Sequence, residues 1–99
     1  RHMANPLTKR IARDTTATAL YATAQNINYG VQIRLGTEAT ARMAVGFSAS
    51  MTAEATAATD GYQLAAGESL WLPKEVAGDL TGVYLKSVSG TQNVYILAF

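Results

Sequence analysis

Over residues 29–35 every second side chain is large and apolar: Tyr29, Val31, Ile33 and Leu35 alternate with Gly30, Gln32 and Arg34. Successive side chains of a β-strand leave opposite faces, so this spacing specifies a strand with one buried face. Residues 41–47 repeat the pattern, with Met43, Val45 and Phe47 on one side and Arg42, Ala44 and Gly46 on the other. Gly36-Thr37-Glu38 reads as a turn, and the short separation predicts that the two strands pair as an antiparallel hairpin. Residues 93–99 differ. Val94, Ile96 and Ala98 share one face, and Tyr95, Leu97 and Phe99 the other. A strand apolar on both faces is expected to be covered on both, as a central strand or one buried at a subunit interface.

The densest apolar stretch is residues 61–73, which holds the only Trp, at position 71. Two short apolar runs, 62–64 and 70–72, flank Ala65-Ala66-Gly67-Glu68, which reads as strand, tight turn, strand. Trp71 is expected in the core, where truncation to Ala costs about 3–5 kcal/mol. Residues 15–24 suggest a strand of weak contrast. Residues 82–87 suggest another, with Val83 and Leu85 on one face, after a polar connection at 74–81. Residues 48–60 are ambiguous. Their Ala content suits a helix capped by Ser50, but Met51 is the only large apolar residue there, so a long loop with some extended structure is preferred. Seven or eight short strands in 99 residues predict an all-β fold: a small antiparallel β-sandwich or jelly-roll-like barrel with an extended N-terminal arm. The predicted organisation is a tag remnant at 1–3, an arm at 4–14 and one sandwich domain at 15–99.

Charge and composition exclude several classes of function. Formal net charge is +1, and it is zero once Arg1, read as part of a tag remnant, is set aside. A neutral chain offers no electrostatic reason to bind nucleic acid. Near-zero charge also removes the self-repulsion that opposes association. There is no Cys, so disulfides and thiolate chemistry are excluded. No apolar run approaches the ~20 residues of a membrane-spanning helix.

Catalytic constellations are equally sparse. The only His is His2, so no Ser has an imidazole base. The carboxylates follow no calcium-loop spacing, and the glycines no phosphate-loop pattern. The expectation is a non-enzyme with no catalytic residue, no metal site and no cofactor. Trp71 and the five tyrosines can either stack on sugar rings or fill a core or subunit interface, the second being the commoner use of such rings in a small sandwich.

The arm contributes the one candidate contact site. Pro6 favours an extended path, and Lys9, Arg10 and Arg13 gather three positive charges in an otherwise balanced chain. The segment reads as a mostly extended arm that can join a sheet near Ile11, its basic side chains suited to an acidic groove of a partner; the alternative is a solvated terminus. The body of the chain is expected to fold without it.

Residues 45–97 resemble small structural proteins encoded in the virion gene clusters of tailed bacteriophages. The residues that carry the resemblance are Val45-Gly46-Phe47-Ser48, Asp60-Gly61-Tyr62-Gln63-Leu64 and Ala66-Gly67-Glu68-Ser69-Leu70. Gly82-Val83-Tyr84-Leu85 and, after a turn at Gly90, Asn93-Val94-Tyr95-Ile96-Leu97 complete it. The resemblance implies a β-sandwich virion structural protein of the head-decoration (cement) kind or a related tail module. It implies a homotrimer that is made in the host cytoplasm and sits on the capsid surface against other virion proteins. A tail or spike-tip module, or a carbohydrate-binding one, is the alternative.

Overall fold

The computed structural model describes residues 7–50 and 61–99. Among these residues there are eight strands: β1 (Leu7–Arg13), β2 (Thr18–Ala19), β3 (Gly30–Leu35), β4 (Met43–Gly46), β5 (Tyr62–Leu64), β6 (Ser69–Pro73), β7 (Tyr84–Ser87) and β8 (Gln92–Ala98). One helical turn, α1 (Lys74–Ala77), lies between β6 and β7. The strands form two four-stranded sheets, ordered β1-β8-β3-β6 and β2-β7-β4-β5, and every neighbouring pair is antiparallel. The fold is a small all-β sandwich.

The alternating patterns explain the layering. Val31, Ile33 and Leu35 of β3 and Val94, Ile96 and Ala98 of β8 point inward from the first sheet. Met43 and Val45 of β4, Leu64 of β5 and Leu85 of β7 meet them from the second. All ten are essentially out of water. At about 1.5–3 kcal/mol for each fully buried large aliphatic side chain, this shared core is what holds the sheets together. Leu20, Ile27, Leu80 and Val83, from the connections, close its ends.

The predicted pairing of β3 with β4 is not what forms. β3 lies in the first sheet between β8 and β6, whereas β4 lies in the second between β7 and β5. Their apolar faces do oppose one another, but across the core rather than side by side. A period-two pattern fixes which face is buried and says nothing about which strand lies alongside. The strands at 62–64 and 69–73 likewise flank the expected turn yet enter different sheets. In that turn the Glu68 N–H donates to the Ala65 carbonyl (2.9 Å) and the Ala65 N–H to Glu68 Oε1 (2.7 Å).

Of the strand expected over 15–24, only Thr18–Ala19 is regular, because its alternation carries little apolar weight before Leu20. The polar connection at 74–81 contains α1, which Gly78 ends at φ 60° by donating its N–H to the Lys74 carbonyl (2.8 Å). Just beyond it Leu80 takes φ 73°, which costs an L-residue about 1–2 kcal/mol, and its fully buried side chain offsets that. Most of the ambiguous stretch at 48–60 lies outside the described residues.

The N-terminal segment is extended, as expected, and its path is that of an edge strand. Leu7–Arg13 pairs with β8 along seven residues, from Leu7 opposite Ala98 to Arg13 opposite Gln92. Ile11 enters the core. Arg13 reaches across to the other layer, where its Nη2 donates to the carbonyls of Ala19 (2.8 Å) and Leu20 (3.2 Å).

Candidate functional site: the outer face of the first sheet

Every second residue of β3 and β8 points away from the core, and register places these residues in rows. One row reads Arg10, Tyr95, Arg34, Ser69 across β1, β8, β3 and β6. The next reads Thr8, Leu97, Gln32, Trp71. Phe99 then follows Leu97 along the β8 line, and Gly30 pairs with Pro73. The apolar side chains of this face are exposed: Tyr95, Leu97 and Phe99 at 38–39 %, Trp71 at 45 % and the neighbouring Tyr29 at 56 %. β8 is therefore a central strand, as one sequence alternative had it, but the described residues cover only one of its two faces.

Trp71 is not in the core, contrary to the expectation. Within β6 it is Leu72 that points inward, with Leu70 partly buried, and the strict alternation of a strand then sends Trp71 outward. Its indole is nevertheless held in place. Gly30 has no side chain, and a Cβ there would come within 2.6 Å of the indole edge and 2.4 Å of the Leu72 carbonyl oxygen. The ring therefore lies over the bare backbone of β3. Phe99 packs beside it with ring centroids 5.7 Å apart, and Tyr29 packs on Phe99 at 6.5 Å. Both pairs are tilted, at 47° and 59°, an arrangement that aromatic quadrupoles favour over flat stacking. The backbone supports the cluster through the N–H groups of Tyr29 and Gly30, both of which donate to the Phe99 carbonyl (2.7 and 2.9 Å).

The other end of the face is polar. The Tyr95 hydroxyl donates to Glu38 Oε2 (2.7 Å), and Asn93 Nδ2 donates to the same oxygen (3.3 Å). These donors stabilise the ionised carboxylate, so Glu38 titrates below its ordinary value, with the Tyr95 hydrogen bond as the largest cause. The same bond raises the Tyr95 phenol. Arg10 and Arg34 flank Tyr95 on either side. Gln32 Nε2 donates to Ser69 Oγ (3.3 Å). Between the two ends, a shallow groove of about 270 Å³ runs past Thr8, Gln32, Arg34, Tyr95 and Leu97.

The three cations singled out in the sequence do not share a face. Lys9 and Arg13 pair with Ile96 and Gln92, whose side chains point inward, whereas Arg10 pairs with outward-facing Tyr95. Lys9 Nζ stands 5.4 Å from the centre of the Tyr21 ring, a cation–π distance. Arg13 is committed to the Ala19 and Leu20 carbonyls, and partial burial lowers its pKa against the opposing pull of Asp14. Only Arg10 is presented on the exposed face. Sequence reasoning missed Arg34, Gln32 and the Gly30–Trp71 contact as parts of this surface. The signal available was the two-sided apolarity of residues 93–99, which marks the strand at its centre.

Among the described residues, no three His, Cys, Asp or Glu side chains come together in a way that holds a metal ion. No helix of the described residues is long and apolar enough to cross a membrane. No protein-family model, curated protein or solved structure matches the chain.

Proposed function

We propose that the protein is a non-catalytic interaction module that works through the outer face of its first sheet. Specifically, it is a virion structural protein of the capsid-decoration (cement) kind. The observation that carries the interaction role is the set Trp71, Tyr95 and Leu97 on the sheet, with Phe99 and Tyr29 just beyond its strand ends, all exposed and uncovered by the described residues. Patches of this kind on a small domain mark surfaces that meet another molecule. The virion assignment rests on the resemblance of residues 45–97 to phage structural proteins. The copy number of three has the same source, and no feature of the outer face calls for it.

In this role the chain binds the assembled lattice and not its dissociated subunits. Occupancy then stabilises the assembled state by mass action. The test is to incubate purified particles lacking this protein with the recombinant chain and count bound copies. A decoration protein coats the head at high copy. Binding at a few sites near the tail points to a tip protein, and no binding removes the virion role.

A second reading has a specific observation in its favour. Trp71, Phe99 and Tyr29 are exposed and mutually packed, and they adjoin Gln32 and Arg34, as a sugar-stacking platform with flanking hydrogen-bonding groups would be. Because Trp71 is the only Trp, its fluorescence reports on this face alone. Titration with a panel of oligosaccharides shifts that emission if the face takes sugars and leaves it unchanged if it does not.

A further inference from the structure

The outer face is complementary to itself under a twofold rotation, and we infer that a second copy of this chain covers it. The inference takes from the proposed function only that this face meets protein; the protein it meets is then a second copy, and contact with a lattice falls to other surfaces of the pair. Two faces stack when the rotation axis lies in the plane between them. Let that axis run across the strands along the row Thr8, Leu97, Gln32, Trp71. Leu97 then meets Leu97 of the second copy, and Gln32 meets Gln32. The row on one side of the axis, Arg10–Tyr95–Arg34, exchanges places with the row on the other, Phe99 and Gly30. Tyr95 therefore falls against Phe99. Arg34 falls against Gly30, and the surface over Gly30 is the Trp71 indole.

Chemistry matches at each of these positions. Arg34 brings a guanidinium, which among the described residues has no hydrogen-bond or ion-pair partner, to the face of an indole. Trp is the best of the aromatic partners for a cation, and Arg the commoner cation. Tyr95 and Phe99 form an aromatic pair, and Leu97 closes an apolar centre. A twofold interface makes each of these contacts twice except those on the axis. A twofold along the strands between β8 and β3 stacks like rows instead; it sets Arg34 against Tyr95, Leu97 against Gln32 and Trp71 against Thr8, which leaves the indole without a cation.

The size of the patch is also adequate. Aromatic side chains carry about 150–250 Å² each, so the five exposed apolar side chains present on the order of 400 Å². Thr8, Arg10, Gln32, Arg34 and Ser69 surround them. Together they approach the roughly 800 Å² per partner of a standard interface.

The test uses the full chain in solution and exploits its lack of Cys. Sedimentation equilibrium gives the mass across concentration. In parallel, Leu97→Cys and Ser69→Cys are each treated with a short bis-maleimide, with circular dichroism checking the fold. Facing sheets lie about 10 Å apart, so thiols on the axis are within reach of the linker. Two thiols at 69 are further separated, because each lies a row away from the axis. The expected results are a mass of two chains and efficient linking of Leu97→Cys but not of Ser69→Cys. Arg34→Ala and Trp71→Ala are each expected to weaken the dimer about tenfold, since each removes two cation–π contacts. The double variant should be little weaker than either single one. A monomer at high concentration, a trimer, or equal linking of the two thiols overturns the inference. A chain that coats particles as a monomer or trimer loses the twofold and keeps the virion role. A chain that dimerises as described but coats nothing keeps the twofold and loses the virion role.

Discussion

At Gly30 the absence of a side chain is what lets the edge of the Trp71 indole approach the backbone of β3. The two residues therefore predict opposite kinds of mutant. Trp71→Ala removes a ring that is already 45 % in water, so the melt should show a loss of about 1–2 kcal/mol, well short of a buried aromatic's cost. Gly30→Ala adds one methyl group where backbone and indole leave no room, so it should cost about 1–3 kcal/mol. It should also shift the Trp71 emission to longer wavelength as the ring is pushed into water. A Gly30→Ala protein with wild-type stability and emission would sink this account. Glu38 offers a third residue-level check. Its carboxyl is held down in the folded chain chiefly by the Tyr95 hydroxyl. The linked stability is complete above the ordinary carboxyl value, 4.5, and is lost as pH falls through the lowered folded value. A carbon-detected NMR titration should place the Glu38 midpoint below 4.5, and Tyr95→Phe should move it back up.

At the level of elements, β1 carries more than its outward charges suggest. It covers one edge of β8 for seven residues, places Ile11 in the core and ties the two layers through Arg13. Deleting residues 4–13 should therefore leave a chain that is largely unfolded or aggregates through the bared β8 edge, as judged by circular dichroism and sedimentation. A monomeric, cooperatively melting truncation would instead make the segment dispensable, as the sequence reading had it. That contrast shows what was legible beforehand. The buried faces of β3, β4, β7 and β8 were plain from alternation in their middles, at Val31, Met43, Leu85 and Ile96, but not at every position: Tyr29 and Phe47, read as inward, lie just beyond the strand ends and are exposed, and Ala44, read as outward, is buried. β1 was legible only as an extended arm with a sheet contact near Ile11 as one alternative, because Lys9, Arg10 and Arg13 outweigh Leu7 and Ile11, as suits an edge strand. Which strands pair was also hidden. Gly36-Thr37-Glu38 is an ordinary turn sequence, yet the chain there passes from one sheet to the other. The candidate surface was half legible: two-sided apolarity named Tyr95, Leu97 and Phe99, whereas Trp71 was assigned to the core because hydrophobic size alone does not reveal which way a strand residue points.

For the whole molecule, self-association through the outer face predicts a melting temperature that rises with protein concentration, since the second copy binds only the folded chain. Leu97→Glu should abolish that dependence while leaving the circular dichroism spectrum unchanged. A further consequence follows from the position of β8 in its sheet. The last of the described strands in chain order lies between β1 and β3, two of the earlier ones, and the register joins Leu7 to Ala98. While the ribosome is still adding residues, β1 has no partner and β3 has only β6. The first sheet closes only when residues 92–98 have emerged and slot into the gap, so its completion follows the other described strands and is dominated by contacts between residues far apart in sequence. Such topologies fold slowly, on the order of milliseconds to seconds. Until then the nascent chain shows two open strand edges to its surroundings, and that interval, not the finished sandwich, is when the protein is most exposed to mispairing.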